Sequence, residues 1–469
     1  MKQRFTFLAL FMMASIFGFA QNKQAPHFFF DKGFLHTQED LFDIHHKLSS
    51  NRIHKNMLNT TKHRFDSLIL LSEHDGDGKY IYSYDSQGNC VLSTEYSREN
   101  SNNEWQSRGK TETTYDIFGQ VVLEIEYYWD EIANQWQETY KRITVYNGQQ
   151  TGKTVRFYSW DQGLGNWKPR WRDIINYDSW GNRILILSDS WQDNTQGWSP
   201  IQKYTYSYND SHLLTELDKY NWNTESNEWI ISADALYTYN SNNKLILRLQ
   251  DIWIEGVSTK NRKAEYAYNA QGNCSKAVFY NRDIEADKWL EVEKEEFLYD
   301  DLGNTSQLTF YEWNDGDMLW MAGEKQILTY NTDIPFEEVL WPIKEENALY
   351  QIISMPLTFS VQQSLGDDVW QEELTSTIYY SAFEYDYIDE SILEDVQLIP
   401  NPVDNYFNIH FSDAYQQAQL KIYDMQGRLM TQKGVRNNEN IHIENLRSGV
   451  YFYMISTNGK TDRGKLVKK

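Results

Sequence analysis

Trp136-Gln137-Glu138-Thr139-Tyr140-Lys141-Arg142-Ile143-Thr144-Val145-Tyr146, followed by the turn residues Asn147-Gly148-Gln149, decides how this chain is built. The stretch is dense in β-branched and aromatic residues, which suit a pleated strand. Asp or Asn after the tyrosine caps backbone amides of a tight turn, and glycine supplies the positive φ that such a turn needs. The pattern recurs as Tyr84-Asp85-Ser86-Gln87-Gly88-Asn89, Tyr177-Asp178-Ser179-Trp180-Gly181-Asn182 and Tyr268-Asn269-Ala270-Gln271-Gly272-Asn273. Nine tyrosines keep the register: Tyr84, Tyr115, Tyr146, Tyr177, Tyr208, Tyr239, Tyr268, Tyr299 and Tyr330. Every interval is 31 residues except one of 29, between Tyr239 and Tyr268. Residues 77–333 are therefore one short unit copied in tandem.

Tryptophans obey the same register. Trp105, Trp136, Trp167, Trp198, Trp229, Trp289 and Trp320 lie 21 positions after a repeat tyrosine, and Trp129, Trp160, Trp191, Trp222, Trp253 and Trp313 lie 14 after it. Between the two landmarks run a return strand, as in Val121–Trp129, and a polar stretch such as Asp130–Gln135, so each unit reads as a β-hairpin. Turns are expected close to 85–89, 116–120, 147–151, 178–182, 209–213, 240–244, 269–273 and 300–304. Trp136 and Tyr146 are ten residues apart, and an even spacing puts both rings on one face of an unbroken strand. Stacked hairpins would then align the rings into ladders that serve as the core. So many strands in one sheet curl. The expected class is all-β: tandem 31-residue hairpins in a long curled antiparallel sheet, with a small C-terminal Ig-like β-sandwich and a short N-terminal helical segment. Trp370 and Tyr380 repeat the ten-residue spacing, so residues 366–382 read as one last degenerate strand within a capping and linker region, 334–394.

The termini give the destination. Lys2 and Arg4 precede an apolar stretch, Phe5–Phe17, too short for a membrane span, and Gly18 and Ala20 are the small residues before a signal-peptidase cut. Residues 1–20 are thus expected to be a signal peptide cleaved between Ala20 and Gln21. No later apolar run is long enough to span a bilayer, so no transmembrane segment is expected in the mature chain. Residues 21–76 are read as a partly helical N-terminal segment, with Leu41, Phe42, Ile44 and Leu48 on one helical face. Seven of the ten histidines fall in residues 21–74, without cysteines or acids at ligand spacing, and no metal site is expected.

Formal charge is −23, and removal of Lys2 and Arg4 takes it to −25. Residues 395–469 hold ten Lys/Arg against seven Asp/Glu, a balance of +3, which leaves −28 on residues 21–394 and marks a boundary near 395. An acidic body repels nucleic acid and anionic lipid, so no nucleic-acid partner is expected. Cys90 and Cys274 are the only cysteines; they occupy equivalent positions six units apart, and no bridge is expected between them.

Two resemblances follow from these residues. The tyrosine-acid turn, as in Tyr84–Asn89, resembles the YD repeat of Rhs-type and teneurin-type shells, and the 31-residue Tyr-Trp pattern resembles hairpin repeats of secreted Bacteroidetes proteins. The resemblance implies a fold type and not a toxin-enclosing function. At the other end stand four blocks, Pro400-Asn401-Pro402-Val403-Asp404-Asn405-Tyr406, Lys421–Arg428, Leu446-Arg447-Ser448-Gly449-Val450-Tyr451 and Gly464–Lys469. In this order they resemble the type A C-terminal sorting domain of the type IX secretion system, over residues 395–469. The resemblance implies partners: an outer-membrane translocon, a sorting protease, and lipopolysaccharide as a surface attachment.

For catalysis the sequence offers little. There is no nucleophile elbow, zinc-protease helix motif, phosphate loop or dinucleotide fingerprint. Asp75-Gly76-Asp77-Gly78 and Asn314-Asp315-Gly316-Asp317 lack the remaining ligands of a calcium loop and read as turns. Acid pairs such as Glu295-Glu296 belong to the repeat and single out no unit. The expectation is a non-catalytic secreted or surface repeat protein without a cofactor, structural or adhesive in role. The alternative is a glycan-binding protein in which Trp129, Trp160, Trp191, Trp222, Trp253 and Trp313 are stacking platforms for sugar rings.

Overall fold

The computed structural model describes residues 62–468, apart from 74–75, 99–103, 117–118, 148–150, 255–256, 284, 343–350, 367, 384–390, 393–395, 412–416, 424–428, 448 and 458–459. The signal-peptide cut and the N-terminal helix expected from the sequence lie outside these residues. Two compact units are present, one ending at Phe383 and one comprising Glu384–Lys469.

The first unit is a succession of strands: β1 (Lys62–Ser72), β2 (Asp77–Tyr84), β3 (Cys90–Arg98), β4 (Gln106–Tyr115), β5 (Val121–Asp130), β6 (Gln135–Tyr146), β7 (Gly152–Asp161), β8 (Asn166–Tyr177), β9 (Arg183–Gln192), β10 (Gly197–Tyr208) and β11 (Leu214–Asn223). It continues through β12 (Glu228–Tyr239), β13 (Leu245–Ile254), β14 (Val257–Tyr268), β15 (Cys274–Asp283), β16 (Lys288–Tyr299), β17 (Thr305–Asn314), β18 (Leu319–Pro335), β19 (Val339–Leu340), β20 (Ser354–Gly366) and β21 (Val369–Phe383). Neighbours in sequence pair antiparallel, as β7 with β8 and β16 with β17. The sheet does not stay open and curl: β21 returns to pair with β1 from Lys62↔Phe383 to Ser72↔Leu374, and β1 pairs with β2. Setting β19 aside, the other strands of this 21-stranded sheet form a closed antiparallel ring of twenty. Residues 366–382 are thus part of a full hairpin, β20–β21, that supplies the last two staves. Closure is favoured because an open meander leaves two edges of unpaired amides and carbonyls.

At one rim the hairpin turns fall where the sequence places them. Asp85 N donates to Asn89 O, Gly88 N to Asp85 O, and Asp85 Oδ1 accepts from the amides of Gln87 and Asn89. The same closure recurs at Asp116/Gln120, Asp178/Asn182, Asn209/Leu213, Asn240/Lys244, Asn269/Asn273 and Asp300/Asn304. The fourth residue after the tyrosine takes a positive φ, +77° at Gly88; His212 and Asn243 hold +60° and +59° in the same place, where the backbone demands glycine-like freedom. In the third turn Asn147 N reaches Gly152 O, one residue later than in the others.

Each repeat tyrosine then fastens this rim. Tyr208 OH donates to Arg183 O on the preceding strand, Tyr239 OH to Leu214 O, Tyr299 OH to Cys274 O and Tyr330 OH to Thr305 O, at 2.6–2.8 Å. Tyr84 and Tyr380 do the same to Phe65 O and Pro356 O.

Trp and Tyr do not share a face. A β-bulge three residues after the tryptophan interrupts the alternation: in β10 Pro200 pairs Asp189 and Gln202 pairs Ser188, leaving Ile201 unpaired. Ser232, Val292 and Gly323 are skipped in the same way in β12, β16 and β18. One extra residue reverses the face of all that follows. Trp198 therefore lies on one face beside Arg172, and Tyr208 packs on the other against Leu214 and Leu217. The tyrosine face carries the buried side chains, among them Phe65, Leu308 and Ala235 at 1 %, 0 % and 0 % exposure. A closed single-layer sheet can bury side chains only within its own ring, so this face is the inner one. At the tyrosine rim β19 pairs parallel with β1, and Trp341 stacks on Phe65 with centroids 4.8 Å apart.

The second unit holds β22 (Ser391–Ile392), β23 (Gln397–Ile399), β24 (Tyr406–His410), β25 (Ala418–Tyr423), β26 (Leu429–Val435), β27 (Glu439–His442), β28 (Gly449–Thr457) and β29 (Lys460–Lys468). They form a five-stranded sheet, β22-β29-β28-β25-β26, and a three-stranded sheet, β23-β24-β27. The expected sandwich of about seven strands is met as an eight-stranded, two-sheet unit. Its core is a single apolar cluster that includes Phe407, Ile409, Leu420, Ile422, Ile441 and Ile455, all at 0 %. The strand alternation places Leu420 and Ile422 inward and their neighbours outward.

Tyr239→Phe should test the latch. Removing one hydroxyl leaves the Leu214 carbonyl without that donor, and urea unfolding should show a loss of about 1 kcal/mol with an unchanged m-value. No measurable loss would mean that the tyrosines act by packing alone.

Candidate functional site

The outer face carries a belt that repeats from unit to unit. Five residues before each repeat tyrosine stands a basic residue: Lys79, Lys110, Lys141, Arg172, Lys203, Lys263, Lys294 and Lys325. In β10 this is Lys203, whose Nζ lies 3.9 Å from the Tyr220 ring centroid and 5.5 Å from that of Trp229. Lys294 sits likewise at 3.8 Å from Tyr311 and 5.4 Å from Trp320, and Lys263 at 3.8 Å from Tyr280 and 5.5 Å from Trp289. A cation between two aromatic faces is stabilised by their quadrupoles, by about 0.5–2 kcal/mol according to its hydration. Sequence reasoning missed these lysines. The signal was present in the register, at five positions before the tyrosine, in eight of nine units.

The ninth unit departs in a compensated way. Asp234 replaces the base, and the Trp253 indole N–H donates to Asp234 Oδ1. Where Asp189 stands in place of the belt tyrosine, Arg172 pairs with it at 2.7 Å.

The two tryptophan landmarks meet at the second rim. Trp129 packs edge-on against Trp136, Trp160 against Trp167, Trp191 against Trp198, Trp222 against Trp229 and Trp313 against Trp320, with centroids 5.0–5.2 Å apart and planes at 69–73°. They are directly opposed residues across the turn, as in Trp191↔Trp198, the closest cross-strand neighbours an antiparallel pair offers. Each such pair contributes about 0.5–1.5 kcal/mol beyond area burial. Trp253 lies opposite Ser258 instead. All six tryptophans singled out as platforms are half-buried, neither core residues nor free plates. Between them Asp130, Asp161, Asn223 and Asn314 cap the turn amides, which accounts for Asn314-Asp315-Gly316-Asp317. Asp77 of the other acidic motif pairs with Arg98 at 2.7 Å at the start of β2. Of the N-terminal histidines only His63 is among the described residues.

Two adjacent units differ from the rest. Lys263-Ala264-Glu265 and Lys294-Glu295-Glu296 each add an acid to the belt. Glu265 accepts from Lys263 Nζ at 2.8 Å and Tyr280 OH at 2.9 Å; Glu296 accepts from Lys294 Nζ at 2.7 Å and Tyr311 OH at 3.0 Å. The Lys263 hydrogen bond, with that of Tyr280, holds the Glu265 carboxyl below the usual carboxylate range. Between them lies an open concavity of about 540 Å³ lined by Glu265, Lys276, Tyr280, Lys294, Glu296 and Trp320.

Inside the ring the electrostatics reverse. Burial pushes the Glu295 carboxyl up to about 8, with Glu293 adding to the rise and Arg248 opposing it. Burial likewise takes Glu126 to about 7, reinforced by Glu124 and opposed by Arg142. Both side chains keep some accessible surface, but it opens onto the inside of the closed sheet, where surrounding protein limits hydration. Cys90 and Cys274 are free thiols, each pushed up to about 12 by burial.

In the second unit the sequence blocks come together. Val403 N donates to Val467 O and Asn401 Oδ1 accepts from Val467 N, tying the Pro-Asn-Pro block to the basic C-terminal strand. Tyr451 OH donates to Arg447 O, and β28 pairs with β25, which carries Lys421–Tyr423.

The fold is thus a closed hairpin-repeat barrel followed by a two-sheet β unit. Residues 397–469 match the family model of the secretion system C-terminal sorting domain, and this part of the chain is such a domain. It directs the protein to secretion and the outer-membrane surface. No curated protein matches the chain. Among solved structures, the chain is similar to a protein of unknown function from Bacteroides fragilis NCTC 9343, at 19 % identity, covering 28 % of this chain and 91 % of that one with a TM-score of 0.26. A DUF3836 family protein from Parabacteroides distasonis ATCC 8503 aligns at 19 % identity over 22 % of this chain and 92 % of that one, TM-score 0.19. A porin-like protein from Bacteroides uniformis ATCC 8492 aligns at 8 % identity over 68 % and 97 %, TM-score 0.27.

The inner carboxylates set a pH dependence. Because the folded value of Glu295 is raised, the native state holds more protons than the unfolded chain between the usual range near 4.5 and about 8, so stability falls as pH rises across that window. Glu295→Gln should remove part of this slope, raising stability at pH 9 relative to pH 5 by about 1–3 kcal/mol in urea titrations. An unaltered slope would show that Glu295 is fully hydrated.

Proposed function

We propose that the mature protein is a non-catalytic surface module, structural or adhesive in role, carried outward by its sorting domain. The observation that supports this most is the sameness of the belt. Catalysis needs one place where acid, base and nucleophile converge, whereas the Lys-Tyr-Trp slot recurs in unit after unit around the ring. A second support is the outer surface itself. A membrane-spanning barrel turns an apolar band to the lipid, and this one turns Lys110, Lys203, Glu265 and Glu296 outward. Among the described residues no helix is long and apolar enough to cross a membrane.

The route follows from both ends of the chain. Residues 1–20 act as the signal peptide, the sorting domain engages the type IX translocon, and a sorting protease removes it. The body is released or joined to lipopolysaccharide. The YD-like resemblance enters here as a fold analogy only. Glycan binding is the second reading, favoured by half-exposed aromatic rings that stand beside carboxylates and lysines on the outer face.

Deleting residues 395–469 should leave the protein within the cell envelope, protected from protease added to intact cells, while the full chain is digested. Equal surface exposure of both chains would overturn the sorting role of this domain in the protein.

A further inference from the structure

Two features single out the concavity between β14 and β18. The first is local chemistry. Lys-x-Glu in the belt occurs at Lys110/Glu112, Lys263/Glu265 and Lys294/Glu296, and only the last two are in neighbouring units. The second is Lys276, eight residues after a repeat tyrosine. Every other unit has Leu92, Leu123, Thr154, Leu185, Glu216, Leu247 or Gln307 at that register. Lys276 pairs across the sheet with Glu296 and lines the concavity with Tyr280 and Trp320.

The groups are arranged for a polyhydroxylated ligand. Tyr280 and Trp320 offer ring faces for the apolar C–H faces of hexoses. The carboxylates of Glu265 and Glu296 are fixed by two donors each, at 2.7–3.0 Å, and keep acceptor capacity for sugar hydroxyls. Lys276 supplies donors. Two carboxylates disfavour an anionic ligand, which points to a neutral one. Successive units advance along the sheet by two strand spacings, about 9–10 Å, a step comparable to one disaccharide of an extended chain.

We propose that this concavity is a binding site for a neutral, hexose-based glycan. Tyr280 and Trp320 are the stacking platforms, and Glu265, Lys276 and Glu296 the hydrogen-bonding groups. The site rests on the surface-module reading only for its setting, and it replaces the regular tryptophan row by one specialised pair of units.

The test uses the full mature chain and calorimetric titration with cellohexaose, laminarihexaose, mannohexaose and xylohexaose, with polygalacturonate as the anionic control. Binding of at least one neutral hexasaccharide is expected, weakened tenfold or more by Trp320→Ala and Tyr280→Ala. Lys276→Leu installs the residue of other units and threatens the fold least; it should cost a similar factor with an unchanged circular-dichroism spectrum. Trp136→Ala, the same change in a unit without the paired acids, should leave affinity unaltered. Binding to polygalacturonate alone, indifference to Lys276→Leu and Trp320→Ala, an equal loss in Trp136→Ala, or no binding of any neutral hexasaccharide would each overturn the site. Surface display of the same variants on cells is scored separately: display without binding sinks the site alone, and binding without display sinks the surface setting alone.

Discussion

A meander of hairpins always has two strands too many: the first and the last each present a row of unpaired backbone groups. In this protein β1 satisfies both, pairing with β21 along its whole length and with β2 at Ser67–Leu70. Those eleven residues are what make a barrel of the repeats. Without them each hairpin keeps its local turn, yet the sheet has an aggregation-prone edge on either side and no enclosed face on which to bury Phe65, Leu308 or Phe359. The small parallel strand β19 takes up the part of β1 that β2 does not reach, at His63 and Arg64. One element therefore ends the edges and anchors Trp341 against Phe65.

Closure also imposes two different environments on one repeated sequence. The unit meets them with the bulge. Before it, tryptophan and the rim turn face outward with the lysine slot; after it, tyrosine faces inward and latches to the preceding carbonyl. A strand without the bulge would carry both rings to one side, and either the inner packing or the outer belt would be lost. A bulge also sharpens local twist, which suits a sheet that must come round on itself.

The hairpins, the turn positions and the sorting domain were legible because each rests on local chemistry that a register repeats: Asp or Asn as cap, Gly88 or its counterparts at positive φ, Pro400 to Tyr406 at a fixed place. Closure was not legible, since the pairing of Lys62 with Phe383 joins residues more than 300 apart and neither strand announces its partner. The bulge was hidden for a different reason. Its residue is Ile201, Ser232, Val292 or Gly323 in different units, so no side-chain type marks it, and an even Trp-to-Tyr spacing was read as one unbroken strand. The belt lysines, by contrast, stood in plain register and were passed over because charge on a strand reads first as solvation.

What distinguishes one place in such a molecule is departure from the repeat. Asp234 in place of a belt lysine comes with an indole hydrogen bond from Trp253, and Asp189 in place of a belt tyrosine comes with an Arg172 ion pair. These departures restore the contact they remove, so they maintain the sheet. Lys276 restores nothing. It puts a charge where the other units have an aliphatic or neutral side chain, or in one case Glu216, and it does so between the two units that already carry paired carboxylates. Compensated departures mark structure, and an uncompensated one beside an open concavity is where a repeat barrel is best able to acquire a ligand.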